Sequence, residues 1–145
     1  MLENYSINTI VELSTADSES IVPFVNQKLI KGCSTSMSGN TVQLNKCGVY
    51  KIDCDLCFAV DATADLTFKV YVDGIAQPQT VRTVSLAAAD SYETTHISTY
   101  VTKQDNNCKC NPCTSPTNVY VTVSASVADT VVTFAITDIQ AYKAI

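Results

Sequence analysis

Ser38-Gly39-Asn40-Thr41-Val42-Gln43-Leu44-Asn45-Lys46-Cys47-Gly48-Val49-Tyr50-Lys51-Ile52 is the stretch on which the reading of the chain turns. It closes a short strand on a Gly turn and opens a long alternating strand. The chain then runs through Phe58-Ala59-Val60 to Leu66-Thr67-Phe68-Lys69-Val70-Tyr71-Val72-Asp73-Gly74, so residues 38–74 read as three strands and two turns. Strand side chains alternate with period two. Tyr50, Ile52, Cys54, Leu56, Phe58 and Val60 therefore point one way. Lys51, Asp53, Asp55, Cys57 and Ala59 point the other. One apolar face per strand predicts an all-β protein, an antiparallel β-sandwich with one buried face per sheet.

The same pattern extends outward. Runs rich in Val, Thr, Ile and Tyr alternate with Gly, Asn, Asp and Ser clusters, and no convincing helix interrupts them. Strands are predicted at 5–13, 21–24, 41–45, 49–60, 66–72, 81–86, 92–101, 118–127 and 131–142. Asp73-Gly74 is a hairpin signal, because Gly takes positive φ without steric cost. Ala128-Asp129-Thr130 is expected to join the last two strands as a tight hairpin. In the final strand Val132, Phe134 and Ile136 alternate with Thr133, Ala135 and Thr137. Ile139 breaks that phase, which predicts a bulge or a switch to contacts with another chain. Long, Thr-rich, weakly charged strands are poorly protected edges, and burial in an oligomer would cover them.

With 145 residues the chain reads as a single domain with a substantial core. Residues 1–19 are expected to form an N-terminal docking, swapped or edge strand, and residues 20–145 the core of the domain. Charged residues are 16% and the net charge is -5, with a single arginine, Arg82. This argues against nucleic acid and anionic membranes as partners. The N-terminus lacks the basic and apolar regions of a signal peptide, and no apolar run approaches the ~18 residues of a membrane helix. The expectation is synthesis in a cytoplasm.

Seven cysteines carry the most conspicuous chemistry. Cys54 and Cys57 have C-x-x-C spacing, but three residues along a strand reverses the face, so one metal could not take both. Cys54 reads as a core residue and Cys57 as an outward one. Cys108, Cys110 and Cys113 crowd one loop. They read as free thiols, a disulfide staple, or a thiol cluster for Zn or Fe, whose fourth ligand would come from Cys47, Cys33 or His96. No cofactor and no further metal site is expected, beyond a weak Ca²⁺ site near Asp61 and Asp65. His96 is the only histidine, on one strand face with Tyr92, Thr94, Ser98 and Tyr100. No Gly-x-Ser-x-Gly elbow accompanies it, so an interface or ligand face at Tyr92, His96 and Tyr100 is favoured over catalysis. Asp53 and Asp55 read as a solvated face.

Gly48, Tyr50 and Ile52 within residues 44–52 resemble the Gly-x-Tyr-x-hydrophobic signature of C1q/TNF-like jelly rolls. Phe68-Lys69-Val70-Tyr71-Val72-Asp73-Gly74 is similar to that family's next hairpin. Lys31-Gly32-Cys33-Ser34, ahead of Asn40-Thr41-Val42, is similar to small jelly-roll domains of phage head-fibre and virion proteins, and of some bacterial collagen-like surface proteins. The resemblance covers roughly residues 20–142. It departs at Cys47, where a Pro is common, and at the 108–113 loop, where many members have a Gly-Asp turn. There is no collagen repeat or heptad stalk.

The resemblance implies a homotrimer about a threefold axis that serves structure, adhesion or recognition rather than enzymatic chemistry. It implies a structural virion protein, a phage head decoration or head-fibre component docked on capsid proteins after synthesis in the host cytoplasm. The alternative is a trimeric receptor- or glycan-binding module of a phage or bacterial surface, with loops 61–65 and 108–113 at its apex. A small metal-binding or redox protein built on the cysteines is a third reading.

Overall fold

The alternation along residues 50–60 is the backbone of the architecture. Tyr50, Ile52, Cys54, Leu56, Phe58 and Val60 are all buried, while Lys51, Asp53, Asp55 and Cys57 lie on the opposite face. The computed structural model describes residues 1–104 and 115–145. The expectations for Cys108, Cys110 and Cys113 fall outside the described residues.

The described strands are β1 (Leu2–Leu13), β2 (Ser20–Ile21), β3 (Asn26–Ile30), β4 (Thr35–Ser38), β5 (Thr41–Leu44), β6 (Gly48–Val60), β7 (Ala64–Val72), β8 (Ile75–Ala76), β9 (Arg82–Leu86), β10 (Glu93–Lys103), β11 (Thr117–Ala125) and β12 (Thr130–Lys143). A single 3-10 turn, Pro78–Thr80, is the only helical element among the described residues. A five-stranded sheet runs β10-β6-β12-β1-β3. A seven-stranded sheet is built on β4-β5-β11-β7-β8, with β2 beside β11 and β9 beside β7. All pairings are antiparallel.

The inner faces of the two sheets meet in one core. Phe58 and Phe134 come from the five-stranded sheet and Phe68 from the other. Their ring centroids are 4.8 Å apart for Phe58–Phe68 and 6.3 Å for each of the other two pairs. Tilted aromatic contacts at these distances add to the apolar burial and hold the sheets in register. Residues 20–25 cross between the sheets. Val22 donates its N–H to the Val121 carbonyl, and Val22 and Phe24 are buried. The buried polar side chains of β1 anchor the far end of this segment: Asn4 Nδ2 donates to the Phe24 carbonyl, and Ser6 Oγ accepts from Val25 N–H.

Three expectations are revised. First, Ala128-Asp129-Thr130 is no hairpin, because β11 and β12 belong to different sheets. The turn carries the chain across the sandwich, and Asp129 N–H donates to the Ser14 carbonyl. Second, Ile136 does not continue the inner row of Val132 and Phe134. The register against β6 shifts between Phe134 and Ile136, which turns Ile136 out and brings Thr137, Ile139 and Ala141 in. Inward Thr137 is satisfied by donating to the Pro23 carbonyl at 2.6 Å. Third, β3 and β4 were not expected, and β8 was expected only as the return strand of the Asp73-Gly74 hairpin. They are short and polar or exposed, so they lack the alternation that marks the longer strands. β1 lies between β12 and β3 over residues 2–5 and pairs with β12 alone beyond them, so its first part is interior and its remainder an edge. Asp73-Gly74 does form the hairpin turn between β7 and β8, with φ of 49° and 79°.

Candidate interaction face

The outer face of the five-stranded sheet is built from rows that cross four strands. One row reads His96, Asp55, Asp138, Tyr5, from β10 through β6 and β12 to β1. Beside it runs Ser98, Asp53, Gln140, Glu3, and on the other side Thr94, Cys57, Ile136, Ile7. Period-two alternation places all of these side chains on one surface. Ile7 and Ile136 face each other in register at 56% and 52% exposure, an unburied aliphatic pair on β12 and on the part of β1 that lies beyond β3. Hollows of about 290 Å³ flank Ile136. One is bounded by Asp55, Cys57, Thr94 and His96. The other is bounded by Tyr5, Ile7, Lys28 and Asp138.

Around the aliphatic pair the charges are organised. His96 Nδ1 donates to Asp55 Oδ1 at 2.7 Å, and His96 Nε2 lies 3.6 Å from Asp53 Oδ1. Both imidazole nitrogens thus face carboxylates, and among the described residues no serine is paired with them, so these residues assemble no Ser-His-Asp triad here. Tyr100 sits further along β10, with Lys51 Nζ 5.9 Å from its ring centroid. On β1, Glu3 Oε2 accepts from Gln140 Nε2 at 3.1 Å and lies 3.6 Å from Lys28 Nζ. Glu3 and Asp138 are diagonal neighbours across the β1–β12 pairing, on the same face and near enough for each carboxyl to act on the other. Burial, then the Glu3 bond and charge, push Asp138 up to about 7. Glu3 moves down, chiefly because Asp138 serves it as donor. Asp138 Oδ1 is buried without a hydrogen-bond partner.

Of the expected face, His96 and Tyr100 lie on the outer side of β10. Tyr92 precedes the strand, so alternation does not align it with them. Glu3, Tyr5, Ile7, Lys28, Ile136 and Asp138 were missed. Their signal is the register between β1 and β12, which joins residues more than a hundred positions apart.

The cysteines divide as the alternation requires. Cys54 is buried, with its thiol pushed up by desolvation, and Cys57 is half-buried on the outer face. Cys33 is an exposed thiol. Cys47 is disulfide-bonded, so it is not a spare thiolate for a metal, and His96 is already engaged by Asp55. Among the described residues no group of three His, Cys, Asp or Glu side chains could hold a metal ion. Near the expected Ca²⁺ loop, Asp61 Oδ1 instead accepts from Val131 N–H, closing a turn.

On the opposite side of the sandwich, Tyr71 and Tyr120 stack with centroids 5.2 Å apart, and the Tyr71 hydroxyl donates to Glu19. Glu19 also pairs with Lys69 at 3.1 Å. These contacts fasten the 14–20 segment over β7 and β11.

No sequence-family model matches the chain, and no curated protein matches it in sequence. Solved structures do match in fold. A crystal structure of murine APRIL at pH 8.0 superposes with a TM-score of 0.56 at 13% identity, over 95% of this chain and 96% of that one. The structure of Eiger TNF from S. frugiperda gives 0.58 at 9% identity, over 95% and 90%. The agreement spans both sheets at negligible sequence identity, and the chain has the TNF-like jelly-roll fold.

Proposed function

We propose that this chain is a non-enzymatic subunit that self-associates as a homotrimer through the outer face of its five-stranded sheet, and that it serves as a structural virion protein decorating a phage head. The observation that carries the reading is the exposed Ile7–Ile136 pair on a sheet face, flanked by paired polar groups. An apolar patch beside a polar rim is the anatomy of a protein–protein interface. The likeness of the Gly48-x-Tyr50 segment to C1q/TNF-like jelly rolls supports threefold assembly, and that of Lys31-Gly32-Cys33-Ser34, ahead of Asn40-Thr41-Val42, to small jelly-roll domains of phage head-fibre and virion proteins supports the virion as its location. Capsid proteins are then the docking partners.

Light scattering is expected to give three times the 15.6 kDa chain mass. Ile136→Asp is expected to yield monomer with unchanged β-type circular dichroism, because Ile136 contributes nothing to the core. A wild-type monomer at every concentration would overturn the assembly. Co-sedimentation with purified capsids tests the virion role. Saturable binding to a glycan array without capsid binding would transfer the role to receptor recognition.

A further inference from the structure

The outer sheet face carries a feature that apolar docking does not require. Next to the Ile7–Ile136 pair, two carboxyls lie against each other with one cation nearby. Asp138 on β12 meets Glu3 and Tyr5 on β1, Lys28 on β3, and Asp55 on β6, which is itself held by His96 on β10. Gln140 donates to Glu3 from the same strand as Asp138. Lys28 can balance one negative charge. It cannot balance Glu3 and Asp138 together, with Asp55 alongside.

We propose that the Glu3–Asp138 pair is a proton-operated lock on self-association: the face closes with one proton held between the two carboxyls and opens when that proton leaves. This rests on the self-association reading given above. With the proton in place, Asp138 donates to Glu3, Glu3 is matched by Lys28, and the site is neutral. A second copy can then cover the hollow beside Tyr5 and Ile136 at little electrostatic cost. Without the proton, two carboxylates are forced together. Asp138 Oδ1 is already buried without a partner, and a second copy would take away the water that still reaches Glu3. An unpaired charge buried at an interface is among the costliest groups to cover.

The sign follows directly. Asp138 in the separate chain is already held up to about 7 by burial and Glu3. Covering the pair raises it further, so assembly takes up protons and weakens as pH rises above that value. Proton linkage limits the effect to about tenfold in the assembly constant per proton per pH unit, hence up to about a thousandfold per unit for three copies.

The experiment is sedimentation equilibrium of the full chain at pH 5.5, 7 and 8.5. Wild type is expected to be assembled at pH 5.5 and to dissociate progressively toward 8.5. Asp138→Asn, neutral at every pH, is expected to remain assembled at 8.5. His96→Gln is expected to keep the wild-type pH dependence. Loss of that dependence in His96→Gln, with retention in Asp138→Asn, would overturn the proposal in favour of the imidazole. If the Asn variant fails to fold, calorimetry of wild-type dissociation in two buffers of different ionisation heat still decides, because about one proton should be released per chain. A wild type assembled equally at all three pH values overturns the lock and leaves the assembly reading standing. A monomer at every pH overturns both.

Discussion

Gly48 shows what a signature residue does physically. Its φ is 148°, a conformation open essentially to glycine alone. A Cβ there would meet Lys143 Cε at 2.4 Å and the Ile145 carbonyl at 2.5 Å. The missing side chain is the space in which the end of the chain docks: Ala144 N–H donates to the Val49 carbonyl, and Val49 N–H to that of Ile145. Tyr50, two residues on, is buried, and its hydroxyl donates to the Lys46 carbonyl at 2.6 Å while accepting from Lys46 N–H at 3.2 Å. It thereby fixes the turn ahead of β6. Gly-x-Tyr is thus a device of folding. Gly48→Ala is expected to lower stability by about 1–3 kcal/mol through backbone strain and displacement of the chain end. The urea midpoint should fall and amide exchange at Ala144 and Ile145 should quicken. An unchanged midpoint would disprove the account.

At the scale of strands, β6 holds the first sheet together, with β10 on one side and β12 on the other. Its six inward side chains were legible because an unbroken period of two leaves one assignment. β12 was only half legible. Its phase break at Ile139 was visible, but the register shift lies between Phe134 and Ile136, and a bulge is located by its partner strand rather than by its own residues. The positive φ of Asn8 on β1, at 52°, falls opposite the same place. Between them, the irregularities put Ile7 and Ile136 outside and leave Phe134 inside. This gives Phe134 a different cost of removal from its neighbour two residues on. Phe134→Ala empties one corner of the Phe58–Phe68–Phe134 contact and is expected to cost about 3–5 kcal/mol, whereas Ile136→Ala should be within about 0.5 kcal/mol of wild type in the monomer. Equal losses in thermal or denaturant unfolding would mean that the bulge is misplaced. The interaction face was illegible for a related reason. Glu3 and Gln140, or Tyr5 and Asp138, become neighbours only once β1 and β12 pair.

For the molecule as a whole, three thiols report which surface is covered. Cys33 is exposed on a loop, Cys57 is half-buried on the outer sheet face beside Ile136, and Cys54 is sealed in the core. Thiolate is the reactive form, so Cys54, hindered by burial and shifted further from ionisation by it, should stay silent in the folded protein. Cys33 serves as an internal reference. Under non-reducing conditions in dilute solution, an alkylating reagent followed by peptide mass mapping should mark Cys33 readily and Cys57 more slowly. Raising the concentration at pH 5.5 should leave Cys33 unchanged and protect Cys57, because the neighbouring Ile136 would be under a second copy. Because thiol labelling is itself faster at higher pH, the ratio of Cys57 to Cys33 labelling, rather than either rate, is the measure. That ratio should rise as the assembly opens, and Asp138→Asn should hold it low. A tripled mass without protection of Cys57 would move the contact to another surface of the sandwich.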